Sequence, residues 1–314
     1  MQVTSARFIF CSLGIFICYF YYGIIQEKIT RSTYGLEKEP FLYPQSLVFV
    51  QCVVNSIFAR VVMSVSAEAL DNTPTFLYAA CAFSYLAAMI SSNHALQFVS
   101  YPTQVISKSC KPIPIMLLGI LLFRKVYPWT KYLFVTMIVC GVSMFLYRAK
   151  DVPVVPSSGI GFGEVLLVFS LAMDGTTGAI QDKIRARYEC SSNRMMLHMN
   201  LWSLVFSVIG LLLSGEIFSF YLFVKRFPNL LFDLASYSVA SALGQYFIFM
   251  TVSQFGPLTC SVLTTTRKFF TILASVIYFR NPLTLSQWLG AIMVFAGLTL
   301  DSGYGKMRRH EPTA

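Results

Sequence analysis

The chain has 314 residues, of which 56% are hydrophobic and 12% charged, and a formal net charge of +10. A bilayer-crossing helix needs about 20 mainly apolar residues, and such runs recur from end to end, which leaves no room for a soluble domain. The charge therefore does not speak for a nucleic-acid partner. Most of it sits at helix ends, where lysine and arginine set orientation in the lipid bilayer.

In chain order the apolar spans fall at 8–26, 45–65, 75–93, 102–123, 131–148, 161–181, 195–214, 235–254, 258–279 and 286–301. The first is too long for a signal-peptide core and runs into Gln26-Glu27-Lys28 without a small-residue cleavage site, so it reads as a retained span. Most connections are short. The longer ones are 27–44 and 215–234, and within the latter the stretch IFSFYLFVKRF suits a segment lying along the membrane interface. Residues 149–160, rich in proline and serine near the chain midpoint, read as a linker. An even number of spans puts both termini on one side, and the lysine and arginine bias favours the cytosol.

The two halves repeat. Gly23-Ile24-Ile25-Gln26-Glu27-Lys28-Ile29 returns 155 residues later as Gly178-Ala179-Ile180-Gln181-Asp182-Lys183-Ile184, with five of seven positions identical. The fourth span matches the ninth at an offset of 157, which places Lys111 on Lys268. Five spans per repeat is an odd number, so the second half must sit inverted, an arrangement that transporters use to build a site between repeats. The expected architecture is an all-α polytopic membrane protein of ten helices: a first repeat at 1–148, the linker at 149–160, a second repeat at 161–301 and a cytosolic tail at 302–314.

The chemistry concentrates in two spans that carry charge. Lys108 and Lys111 lie inside the fourth, and Arg267 and Lys268 inside the ninth. Each such charge costs about 2.5–3.5 kcal/mol at mid-membrane on insertion scales, so these groups must face water or an anion. On a helix Tyr101, Gln104, Lys108 and Lys111 form one polar stripe, and Pro112 cannot donate to the carbonyl of Lys108, so a kink is expected beside the charges. In the ninth span Ser261, Thr264 and Lys268 share a face with Arg267 beside it. Hydroxyls, an amide and fixed cations suit phosphate oxygens.

Asp174 is the acid placed deepest in the membrane, with two roles open to it: partner of a cavity lysine, where a fixed structural ion pair is the favoured form, or proton-coupled group. Glu27 with Lys28, and Asp182 with Lys183, close the first and sixth spans as gate or helix-end charges. His94 and His198 have no ligand-spaced partner, and the eight cysteines are scattered without a CxxC pair, so no metal centre or disulfide framework is expected. No phosphate-binding GxxxxGK[ST] motif is present, which speaks against ATP hydrolysis as the energy source, and no cofactor is called for. No nucleophile motif appears either, and the dispersed acids do not suit a membrane transferase. Gly141, Gly290 and Gly297 permit close helix contacts, and with them a homodimer.

The stretches FICYFYYGIIQEKITR (16–31), SSNHALQFVSYPTQVISKSCKPIPIMLLG (91–119), SALGQYFIFMTV (241–252) and FGPLTCSVLTTTRKFFTILASV (255–276) resemble the nucleotide-sugar transporter family over nearly the whole chain. The resemblance implies the ten-helix drug/metabolite-transporter fold, an endoplasmic-reticulum membrane and exchange of nucleotides or nucleotide sugars. It also puts Lys108, Lys111, Arg267 and Lys268 where that family's basic nucleotide-binding residues lie. Relatives often end in a dilysine-type retrieval signal, whereas this chain ends RRHEPTA, so the Golgi membrane stays open as an alternative.

The expected activity is secondary antiport by alternating access. Four unneutralised cations are costly to occlude in a low-dielectric cavity, so a loaded carrier should cross and an empty one stall. Four positive charges match a nucleoside triphosphate better than a nucleotide sugar. This favours ATP/ADP exchange over import of UDP-galactose or UDP-glucose against UMP.

Overall fold

A computed structural model describes residues 2–35, 37–65, 72–95, 98–99, 101–124, 126–146, 161–188, 190–278 and 284–307. The expected linker 149–160 and the tail beyond 307 lie outside them. Among the described residues twelve helices and one small hairpin follow in order: α1 (Gln2–Arg31), β1 (Thr33–Tyr34), β2 (Glu39–Pro40), α2 (Pro44–Val65), α3 (Thr75–Ala95), α4 (Tyr101–Ser109), α5 (Pro112–Phe123), α6 (Trp129–Leu146), α7 (Phe162–Tyr188), α8 (Ser192–Ser214), α9 (Glu216–Arg226), α10 (Leu230–Phe255), α11 (Pro257–Tyr278) and α12 (Leu285–Met307). Among the described residues α1, α2, α3, α7 and α8 are long and apolar enough to cross a membrane. On α1 the side chains of Ile9, Phe10, Leu13, Ile17 and Phe20 are all more than half exposed. Such a stripe is untenable in water and natural against lipid tails.

The structure gives two of the expected elements a definite form. The fourth span is not one kinked helix but two: α4 ends at Ser109, Cys110 and Lys111 form a turn, and α5 starts on Pro112. Proline lacks the N–H that would continue the α4 ladder and is well placed as a first helical residue. The stretch expected at the interface forms a separate helix, α9, because Gly215 adopts a left-handed φ of 68° that ends α8 and redirects the chain.

The chain divides into two compact units, each drawing helices from both halves of the sequence. The described residues of one fall within 1–83 and 183–256, those of the other within 84–182 and 257–314.

In the first unit α1 packs on α10, and α2 packs on α8 and α10. The α1–α10 contact is close because a glycine on each helix sits beneath an aromatic ring of the other: a Cβ on Gly14 would lie 2.5 Å from Phe247, and one on Gly244 would lie 2.8 Å from Tyr19. At one end the hairpin and α9 close over a core of Ile25, Ile29, Phe41, Phe223, Leu230 and Tyr237. Ion pairs Lys28–Asp233 at 2.7 Å and Arg226–Glu39 fasten the same end. Inside, Asn55 donates to Asn200 Oδ1 (3.2 Å) and Ser241 Oγ (3.4 Å), and Asn200 donates to Gln245 Oε1 at 2.8 Å. Buried amide hydrogen bonds of this kind fix helix register, since any slip breaks them.

The N-terminus of α2 is capped from another helix. Glu216 Oε1 accepts from both the N–H and the Oγ of Ser46 at 2.8 Å each, where a carboxylate also complements the positive end of the helix dipole. Glu216→Ala is expected to lower the stability of the purified protein by about 1–2 kcal/mol, read as a lower thermal unfolding midpoint in detergent, while Glu216→Gln retains most of it.

In the second unit α6 and α12 pack backbone to backbone. A Cβ on Gly141 would lie 2.8 Å from the carbonyl oxygen of Gly290, and one on Gly297 would lie 2.8 Å from Ile138. The three glycines that suggested a dimer surface are thus used within the chain. Around this seam Ile115, Met116, Val139, Phe145, Leu258 and Phe269 make a continuous apolar core.

Candidate functional site: a lysine pair on a buried carboxylate

The site is built where the break between α4 and α5 meets α7. The contact depends on two glycines of α7. A Cβ on Gly175 would lie 2.8 Å from both the carbonyl oxygen of Pro114 and Leu118, and one on Gly178 would lie 2.9 Å from Ile115. Without side chains at these positions α5 lies directly on α7. Lys108, the penultimate residue of α4, and Lys111, in the turn, are thereby brought to one carboxylate.

That carboxylate is Asp174. Its Oδ2 accepts from Lys108 Nζ at 2.7 Å, and its Oδ1 lies 2.9 Å from Lys111 Nζ. The side chain of Asp174 is 5% exposed, against 18% for Lys108 and 32% for Lys111. Lys108 also donates to Ser170 Oγ (2.6 Å) and to the Ala88 carbonyl (3.3 Å), an oxygen that Ser170 bonds too. Lys108 Nζ thus has three acceptor atoms of the protein within hydrogen-bond distance. Among the described residues Lys111 has Asp174 alone as an acceptor.

A cavity of about 280 Å³ opens beside this triad, lined by Tyr85, Met89, Ser92, Asn93, Lys108, Lys111, Asp174, Thr264 and Thr265. It approaches the roughly 300 Å³ at which small-molecule sites begin. α11 supplies its hydroxyl wall. Thr264 Oγ1 turns back to the Ser261 carbonyl (3.0 Å), while Thr265 Oγ1 reaches the Ser109 carbonyl, at 3.5 Å the long limit of a hydrogen bond.

The other candidate residues are distributed as follows. Gln104 is buried and donates to the carbonyl (2.8 Å) and hydroxyl (3.0 Å) of Ser92, so its amide protons tie α4 to α3. Ser261 is buried on α11 away from the cavity lining, and its Oγ has no hydrogen-bond partner among the described residues. Arg267 is half-buried on α11 and does not line the cavity. The side chains of Tyr101 and Lys268 lie outside the described residues. Glu27 is exposed on α1, Lys28 pairs with Asp233, Asp182 is buried on α7, and Lys183 is half-buried.

Several contributors were not singled out from sequence. Ser170 precedes Asp174 by four residues and so shares its helix face, a signal that was available. The Ala88 carbonyl carried no signal at all, because every residue has one. Tyr85, Met89 and Thr265 join the site only through helix packing.

A multi-pass helical membrane protein with a buried ion triad beside a polar cavity has the form of a solute carrier. The chain belongs to the UAA transporter family, which matches residues 7–304. The nucleotide-sugar transporter family implied by the motifs is thereby confirmed. The chain is 55% identical over 299 residues to Solute carrier family 35 member B1 of Rattus norvegicus, covering 94% of this chain and 93% of that protein. It is 55% identical over 309 residues to the Xenopus tropicalis protein of that name (96% and 95% covered). With Solute carrier family 35 member B1 homolog of Drosophila melanogaster it shares 47% over 308 residues (96% and 91% covered). One protein crystal structure, 9% identical, superposes with a TM-score of 0.69 over 98% of this chain and 99% of that one, a likeness of fold. The chain is therefore a membrane transporter.

Proposed function

We propose that this protein is a secondary antiporter that exchanges nucleotides across the endoplasmic-reticulum membrane, ATP for ADP, with both termini in the cytosol. In this reading ten spans form two inverted repeats, 1–148 and 161–301, that alternate access to the substrate. The observation that carries it is the pair Lys108 and Lys111, held at the edge of a membrane-embedded cavity with threonine hydroxyls opposite. Cations at such a depth are expensive unless they serve an anionic ligand, and fixed ammonium donors suit phosphate. Arg267 and Lys268 on α11 are assigned to the same anion path.

A second reading has its own support. The sequence argument counted four uncompensated cations, yet Asp174 offsets one of the two lysines it touches, leaving a triad of net charge +1. A smaller positive charge suits the diphosphate of a nucleotide sugar, and so import of UDP-galactose or UDP-glucose against UMP. It also lowers the cost of an empty, occluded cavity, so the barrier to unloaded return rests more on Arg267 and Lys268.

Counterflow in liposomes containing the purified protein separates these readings. Uptake of labelled ATP only into vesicles preloaded with ADP or ATP is the expected result. Uptake of UDP-galactose driven by internal UMP establishes the second reading instead, and uptake of neither removes both.

A further inference from the structure

The two oxygens of Asp174 stand where anionic oxygens recognised by Lys108 and Lys111 have to stand. They lie 2.7 and 2.9 Å from the two ammonium groups, the spacing of a charge-assisted N–H···O bond to carboxylate or phosphate alike. We propose that Asp174 is a resident competitor for the substrate's phosphate: it holds Lys111 in the empty carrier, releases it when ligand enters, and so sets how much negative charge a ligand must carry to bind. This rests on the nucleotide reading of the same cavity.

The two lysines are not equivalent in this exchange. Lys108 is locked by three acceptors on α3 and α7, namely the Ala88 carbonyl, Ser170 Oγ and Asp174 Oδ2. Lys111 is the more exposed of the two, lies in the turn between two helices, and has one acceptor among the described residues. Lys111 can therefore change partners while Lys108 stays behind and keeps the carboxylate paired. No orphaned buried charge is created, which is the costly outcome when one half of a buried pair leaves.

Charge selectivity follows from this arrangement. A ligand with a single phosphate trades one anion for another at Lys111 and feels repulsion from the carboxylate that remains. A diphosphate or triphosphate breaks the same single pair but brings further charge to the hydroxyl wall and the rest of the anion path. The carboxylate thus penalises every ligand once and by the same free energy, so a ligand needs further phosphate charge elsewhere to bind tightly against it.

The test is equilibrium binding of labelled AMP, ADP and ATP, and in parallel UMP, UDP and UTP, to the full-length protein in nanodiscs, as wild type and Asp174→Asn. The variant is expected to gain about tenfold or more in affinity for every nucleotide of the bound series, the monophosphate included, with no loss of the triphosphate-to-monophosphate preference. Unchanged or weaker binding of the nucleotides by the variant overturns the proposal and leaves Asp174 a structural counter-ion. Wild-type protein that binds no nucleotide of either series refutes instead the functional reading beneath it. Should Asp174→Asn not fold, the same comparison is made between Lys108→Gln, where the carboxylate faces Lys111 alone, and Lys108→Gln/Asp174→Asn, and the same gain in affinity is expected.

Discussion

Lys111→Ala is expected to lower nucleotide exchange by about 100-fold or more while the protein still reaches the membrane folded. The substitution removes the ammonium group that has donors left for a ligand. Asp174 keeps Lys108, and Lys108 keeps Ser170 and the Ala88 carbonyl, so no buried charge is stranded. A charge-assisted hydrogen bond contributes about 1.5–3 kcal/mol, and loss of the cation also removes its longer-range attraction for the remaining phosphate. Lys111→Arg keeps the charge but spreads it over a planar fork that does not fit the turn in the same way, so partial activity is expected. The readout is initial uptake into preloaded liposomes, normalised to folded protein by size-exclusion profile. Wild-type rates in Lys111→Ala refute the assignment of this residue to the ligand.

Gly175→Leu is expected to abolish transport through geometry alone. The first atom of any side chain at that position falls 2.8 Å from the Pro114 carbonyl oxygen, a backbone atom with no freedom to move aside. Overpacking a tight interior contact costs about 1–3 kcal/mol, and the relief available here is for α5 to lift away from α7. Such a shift of even an ångström or so separates Lys111 from Asp174 and reshapes the cavity wall. Transport is expected to fall below detection, with a lower thermal midpoint, whereas Gly175→Ala retains a fraction of the rate because only one carbon must be accommodated. A fully active Gly175→Leu protein shows that the close α5–α7 approach is not needed for the site.

Much of this was legible in the residues. Apolar runs announced the helices because the bilayer sets their length and composition. The break beside Lys108 followed from Pro112, a local effect of a missing N–H. The charged positions stood out against lipid, since a cation there needs a reason to exist. Asp174 was marked out by the same argument from cost, but its two open roles could not be separated along one dimension. The triad spans residues 108, 111 and 174, and the Lys28–Asp233 and Glu216–Ser46 contacts reach further still. Nothing in local periodicity connects such positions.

By itself, then, the sequence determined class, helix content, family and the anomalous cations, all of which depend on composition and near neighbours. Only the tertiary structure decided who neutralises whom. Gly175 and Gly178 admit α5 to the surface of α7, and that approach turns two apparently uncompensated lysines into an ion triad on Asp174. It also shows Gln104 bonded to Ser92 and Gly141 packed against Gly290. The reason is physical: an ion pair or a glycine contact acts over a few ångströms, and which residues come within that distance is set by how helices pack.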